Sequence, residues 1–131
     1  MRLSTSTLMA SISLILAGAT LSGCAGTATP IDLTTRTEMH CGRLASVTVL
    51  DDVVSIGAGE RPTPGYAVEL TSQTRKKDHI KLNYRVSTPT PGAMLPQMMT
   101  SPCQRIELPD DWQRLTVTDE DSGQDWIFER S

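Results

Sequence analysis

The chain has 131 residues, 38% hydrophobic and 21% charged, with twelve Lys and Arg against fifteen Asp and Glu and a formal net charge of -3. That length suits one compact domain and is short for two. Its basic residues are scattered apart from "RKK" at 75–77, which argues against a nucleic-acid partner. With only His40 and His79 available, a histidine-rich metal site is not expected, nor is any other cofactor.

Residues 1–23 hold Arg2, the apolar run "LMASISLILAGA" and then "LSGC", the charged, apolar and small-residue order of a secretory signal. Leu21, Ser22, Gly23 and Cys24 resemble the lipobox of bacterial lipoproteins, which implies cleavage before Cys24 and a lipid on its sulfur. The competing reading, an uncleaved anchor helix, needs ~20 apolar residues to cross a bilayer core, and the run is shorter. The mature chain would keep 131 - 23 = 108 residues and, without Arg2, carry 11 - 15 = -4 charges. Ala25 stands where enteric inner-membrane lipoproteins have aspartate, so the expected address is the outer membrane, facing the periplasm.

After the lipidated cysteine, residues 24–40 read as a flexible tether, because "AGTATPIDLTT" is small, polar and broken by proline. Residues 41–131 read as a single β domain. "LASVTVL" at 44–50 and "VVSI" at 53–56 are rich in Val, Ile and Thr. "GYAVEL" at 65–70 alternates apolar with polar, and "HIKLNYRV" at 79–86 does so through Ile80, Leu82, Tyr84 and Val86. Between them "RKK" and Asp78 read as a solvated hairpin tip. "QRIELP" at 104–109 continues the alternation, and "LTVT" with "DWIFER" flank the turn residues "DEDSGQ" as a closing hairpin. No stretch has a sustained helical period. The expected fold is all-β, a small antiparallel sandwich or partly open barrel.

Cys41 and Cys103 are the thiols left once Cys24 is modified, and in an exported chain two thiols tend to pair. A Cys41 nucleophile assisted by His40 is the alternative, but sequence neighbours on a strand point to opposite faces. No catalytic residue is expected. Asp119, Asp121 and Asp125 are spaced like calcium ligands, but Gly123 falls at the fifth position and Arg130 at the twelfth, where an EF-hand loop needs glycine at the sixth and glutamate at the twelfth. An acidic hairpin turn fits better, and no metal is expected there. Of the two tryptophans, Trp126 alternates with Phe128 and reads as core, which leaves Trp112 as the one expected to be partly exposed.

Two proline-rich stretches remain. In "VVSIGAGERPTPGYAVEL", Ala58 and Gly59 are followed by Pro62, Thr63, Pro64, Gly65 and Tyr66; in "STPTPGAMLPQMMTSPCQRIELP", Pro89, Pro91 and Gly92 are followed by Thr100, Ser101, Pro102, Ile106 and Pro109. This order over 53–109 resembles the PrcB C-terminal domain family, small exported bacterial proteins associated with a protease complex. Pro64 replaces one glycine of that family's pattern. The resemblance implies a noncatalytic interaction module, a protease accessory subunit or binding partner in the envelope. "RPTPGY" also resembles the wedge loop of chagasin-type peptidase inhibitors, with Arg61 in the place of asparagine and Val68 where tryptophan is frequent. An enzyme of unknown class is the weakest alternative, since no nucleophile, base and orienter occur together.

Proline fixes φ and Gly65 can take positive φ, so both loops are expected to be pre-shaped. Met94, Met98 and Met99 then offer adaptable apolar contact area. Pro62, Thr63, Pro64, Gly65, Tyr66, Pro91, Gly92, Met94, Met98 and Met99 form the candidate partner surface. The plainer reading puts the methionines in the core beneath two turns.

Overall fold

A computed structural model describes residues 27–131. The expected signal segment and Cys24 lie outside the described residues. Nine strands follow in chain order: β1 (Thr29–Pro30), β2 (Thr35–Glu38), β3 (Ala45–Leu50), β4 (Val53–Ala58), β5 (Ala67–Lys76), β6 (His79–Ser87), β7 (Cys103–Glu107), β8 (Arg114–Asp119) and β9 (Asp125–Glu129). Two-residue connections close β3 onto β4 and β5 onto β6, and both need left-handed backbone. Asp51 and Asp52 have φ of 49° and 61°, and Lys77 has φ of 57°. Aspartate tolerates that region because its short side chain bonds locally. "RKK" is thus a hairpin tip, as its position between two alternating runs predicted.

The strands form two sheets, one ordered β1-β5-β6-β8-β9 and the other β2-β7-β4-β3. Among the described residues no barrel closes; the fold is an all-β sandwich. Alternation sends Val47, Val54, Ile56, Ala58 and Ile106 inward from the four-stranded sheet and Val68, Ile80, Leu82, Leu115 and Val117 inward from the five-stranded one. Seven of these ten, Val54, Ile56, Ile80, Leu82, Ile106, Leu115 and Val117, are completely buried, so the two faces mesh without a solvent layer.

Three expectations change. The sandwich is not wholly antiparallel: β6 and β8 pair in parallel from His79 opposite Arg114 to Tyr84 opposite Asp119. The chain leaves β6, crosses to the other sheet to form β7, and crosses back, so β8 starts at the same end as β6. The tether expected over 24–40 is folded from Thr29 onward in two places, because β1 pairs with Thr74 and Arg75 of β5 and β2 pairs with β7 from Thr35 opposite Ile106 to Glu38 opposite Cys103. Backbone bonding to an open sheet edge needs no apolar side chain, which is how the polar segment "TRTE" becomes a strand.

The tryptophans also exchange roles. Trp112 is 3% exposed, held under a turn by its own N–H on the Pro109 carbonyl and by its indole Nε1–H on Asp52 Oδ1 at 2.9 Å. Trp126, on the edge strand β9, is only half-buried and tilts against Tyr84 with ring centroids 6.2 Å apart.

Candidate interaction surface

At one end of the sandwich β4 stops, β5 starts, β6 stops and β7 starts, so the loops 59–66 and 88–102 are forced together. Gly59 opens the first loop at φ +77°, and a Cβ there would lie 2.9 Å from the Ala45 amide nitrogen; only glycine lets the chain turn this close to residues 43–45. Arg61 and Thr100 then exchange both backbone bonds, at 2.7 and 2.9 Å. Thr100 is buried, and its hydroxyl donates to the Thr63 carbonyl at 3.1 Å. The Arg61 guanidinium folds back over the Tyr66 ring at 5.3 Å and donates to the Ala58 carbonyl. Gly65, at φ +97°, packs against the second loop, where a Cβ would come within 3.0 Å of Pro89 and 3.4 Å of Leu95.

The second loop carries its own turn. The Ala93 N–H donates to the Thr90 carbonyl at 3.1 Å, with Pro91 and Gly92 (φ +82°) at the two central positions, the residue pattern of a type II turn. The Met98 N–H returns to the Pro96 carbonyl. On this fixed backbone Met94, Met98 and Met99 are 99%, 54% and 57% exposed, while Leu95 turns inward toward Gly65. The methionines are therefore surface residues. No charged residue occurs from 86 to 104, which leaves this loop without charge.

Met39 and Leu44 extend the same end and were not singled out in the sequence. The Ser101 N–H donates to the Met39 carbonyl and the Glu60 N–H to the Arg43 carbonyl, so both segments flank the loops. Their signal was available for Leu44: the alternation that turns Val47 and Val49 inward puts Leu44 in the opposite phase. Five of the seven exposed large hydrophobics among the described residues, Met39, Leu44, Met94, Met98 and Met99, belong to this end; Leu50 and Ile127 lie elsewhere.

A disulfide joins Cys41 to Cys103 under the loops, with Cα atoms 6.2 Å apart, a separation that fits the bond. Glu38 lies beside both sulfurs, but they are bonded to each other and Glu38 pairs with Arg105 at 3.1 Å. His40 sits opposite Ser101 at the loop end, whereas His79 shares a hydrogen bond with Thr116 at the other end. The acidic turn is closed on itself: Asp119 accepts from the Asp121 N–H and the Ser122 hydroxyl, and Asp125 from the Thr118 hydroxyl. It also lies at the loop end, bonding Tyr84 and Val86 of β6. Burial, then the carboxylates of Asp119 and Asp121, push the Tyr84 phenol up to about 12. At the far end a cleft of about 400 Å³ is bordered by Asp52 and Trp112, but the Asp52 carboxylate is already taken by Trp112 and by Arg130 at 3.1 Å. It is a structural clamp.

The segment from the start of β4 to just past β7 contains both loops, the Arg61–Thr100 bridge and Cys103. Residues 53–109 match the family model described as PrcB C-terminal. The match has the boundaries of the proline and glycine pattern read from the sequence. No curated protein and no solved structure matches the chain. Within the matched segment, the glycines at 59, 65 and 92 are the three that take positive φ, and each sits where one of the two loops turns.

Proposed function

We propose that the chain is a noncatalytic interaction module, tethered to the envelope membrane by a lipid on Cys24, that holds a protease or protease subunit on the surface formed by residues 60–66 and 89–99. The observation that carries this reading is the exposure of Met94, Met98 and Met99 on a backbone fixed by three prolines and by the Arg61–Thr100 bridge. A contiguous exposed apolar patch is unusual on a monomer and marks an interaction site. Thioether side chains adapt to a partner, and a loop already ordered loses little entropy on binding. The PrcB C-terminal match supports a protease complex as the setting. The "LSGC" motif supports the anchor, with the periplasmic face of the outer membrane as the address.

A photo-crosslinking residue at position 94, and a control at Ile127, test this in intact cells. Position 94 should capture an envelope protease or its subunit and position 127 should not. Met98→Ser with Met99→Ser should remove the capture and leave the thermal melt unchanged, since exposed positions tolerate polarity. Equal capture from both positions sinks the reading, and inhibition of cysteine peptidases by the purified protein would replace it with the inhibitor alternative. Cys24→Ala should block lipid labelling and processing.

A further inference from the structure

We infer that the tip of the β5–β6 hairpin rests on an anionic phospholipid surface, so that the methionine loops face away from the membrane. The inference rests on the lipid anchor proposed above and adds an orientation to it. Its first support is how cations are used. Lys76, Lys77 and Lys81 are the chain's three lysines, and all lie on this one hairpin. Every ion pair among the described residues is made by an arginine: Arg36, Arg43, Arg75, Arg85, Arg105, Arg114 and Arg130. The lysines are all exposed and take part in none of these pairs.

The second support is where the chain enters. Thr29 lies opposite Arg75, and Ala28 borders a shallow pocket of about 160 Å³ together with Thr74, Lys76, His79 and Lys81. Cys24 is three residues before the first described residue, Thr27, and an extended chain spans at most ~3.6 Å per residue. A lipid on Cys24 would therefore hold its bilayer within roughly 11 Å of Thr27, beside the lysines. The lysines face a surface whose phosphates would complement them.

The lysines outnumber the unpaired acidic groups of their own sheet at this end. On the five-stranded sheet Asp111 is paired with Arg75 and Glu129 with Arg114, which leaves Asp78 and Asp110 beside the hairpin; on the four-stranded sheet the same end carries Asp51, Glu107 and Asp52, the last paired with Arg130. His79 is held below its ordinary range by burial first, then by Lys81 and Arg114, in keeping with a positive local potential. The opposite end of the five-stranded sheet carries the Asp119–Asp121 turn, so charge is graded along that sheet. β6 has nine residues, which at ~3.3 Å each puts the methionine loops roughly 25–30 Å from the lipid surface. That distance leaves room for a partner to reach them.

The test is partition of the full lipidated chain between phosphatidylcholine vesicles and vesicles containing phosphatidylglycerol, at low and high salt. Three lysines at an anionic surface should favour the anionic vesicles by roughly a hundredfold at low salt, with the preference collapsing as salt rises. Lys76→Gln, Lys77→Gln and Lys81→Gln together should abolish the preference while leaving the fold, followed by far-ultraviolet circular dichroism, unchanged. Amide hydrogen exchange on anionic vesicles should slow at residues 76–79 and not at 90–99. Equal partition of the wild type, an undiminished preference in the triple variant, or slowing at 90–99 instead would overturn the orientation. A chain that never attaches to phosphatidylcholine vesicles would refute the anchor itself, a separate failure.

Discussion

Replacing Gly65 and Gly92 in turn by alanine separates what the two loops do to each other from what each does alone. Both glycines have positive φ, +97° and +82°, so either substitution strains the backbone by about 1–2 kcal/mol. Alanine regains roughly 0.4–1 kcal/mol by restricting the unfolded chain, which leaves a net loss near 1 kcal/mol for Gly92→Ala. Nothing lies within 4 Å of the Cβ added there. At Gly65 the new methyl would meet Pro89 Cβ and Cγ at 3.0 Å and Leu95 at 3.4 Å. Proline cannot rotate away, so overpacking adds about 1–3 kcal/mol and brings Gly65→Ala to about 3 kcal/mol. Urea unfolding of the oxidised mature protein reads the difference: the Gly65→Ala midpoint should fall well below that of Gly92→Ala at unchanged m. On the thermal scale the gap of about 2 kcal/mol corresponds to roughly 8–16 °C for a domain of this size. Equal losses for the two variants would refute the close seating of the loops, and with it the idea of one continuous surface.

Cys41→Ser should remove a crosslink between residues 62 apart, for which the chain-entropy model gives about 4 kcal/mol; the check is that reductant destabilises the wild type by a similar amount and leaves the variant unchanged. Tyr84 should ionise at about pH 12 when folded and near 10 when unfolded, read at 295 nm, and Tyr84→Phe should delete that late phase. Because the folded value is the higher one, the stability this phenol contributes is intact below pH 10 and declines as pH rises from about 10 to 12, which urea midpoints across that window will show.

Strands that bury one face announced themselves. Ile80, Leu82 and Tyr84 alternate in the sequence and all point into the core, and the turn composition at 77–78 and 120–124 placed the β5–β6 and β8–β9 hairpins. Strands that bury nothing were silent: Thr35–Glu38 is exposed over most of its length and exists because β7 offers an open edge, a fact about residues some 65 positions away. The direction of β8 was equally illegible, since parallel and antiparallel strands share one side-chain period. Trp112 was misjudged because its burial depends on Asp52, 60 residues earlier, reaching its indole. The composition of the loops pointed to a rigid apolar surface, but only the fold decides that Leu95 turns in and Met94 turns out.

The crossing from β6 through β7 to β8 has a kinetic consequence. The β3–β4 and β5–β6 hairpins are local and can form early. Apart from the two-residue pairing of β1 with β5, every pairing that joins more of the chain waits for the C-terminal third: among the described residues β2 pairs only with β7, β4 needs β7 on its second edge, and β6 needs β8. A chain delivered N-terminus first thus presents two hairpins with open edges until β7 completes the four-stranded sheet at residue 107, and the five-stranded sheet closes only with β8 and β9. Pairings this distant close slowly, on the millisecond-to-second scale of β-sandwiches. Until then the unpaired edges are a template for other chains. Neither sheet is complete before β7, so truncating the chain ahead of Cys103 should unfold all of it.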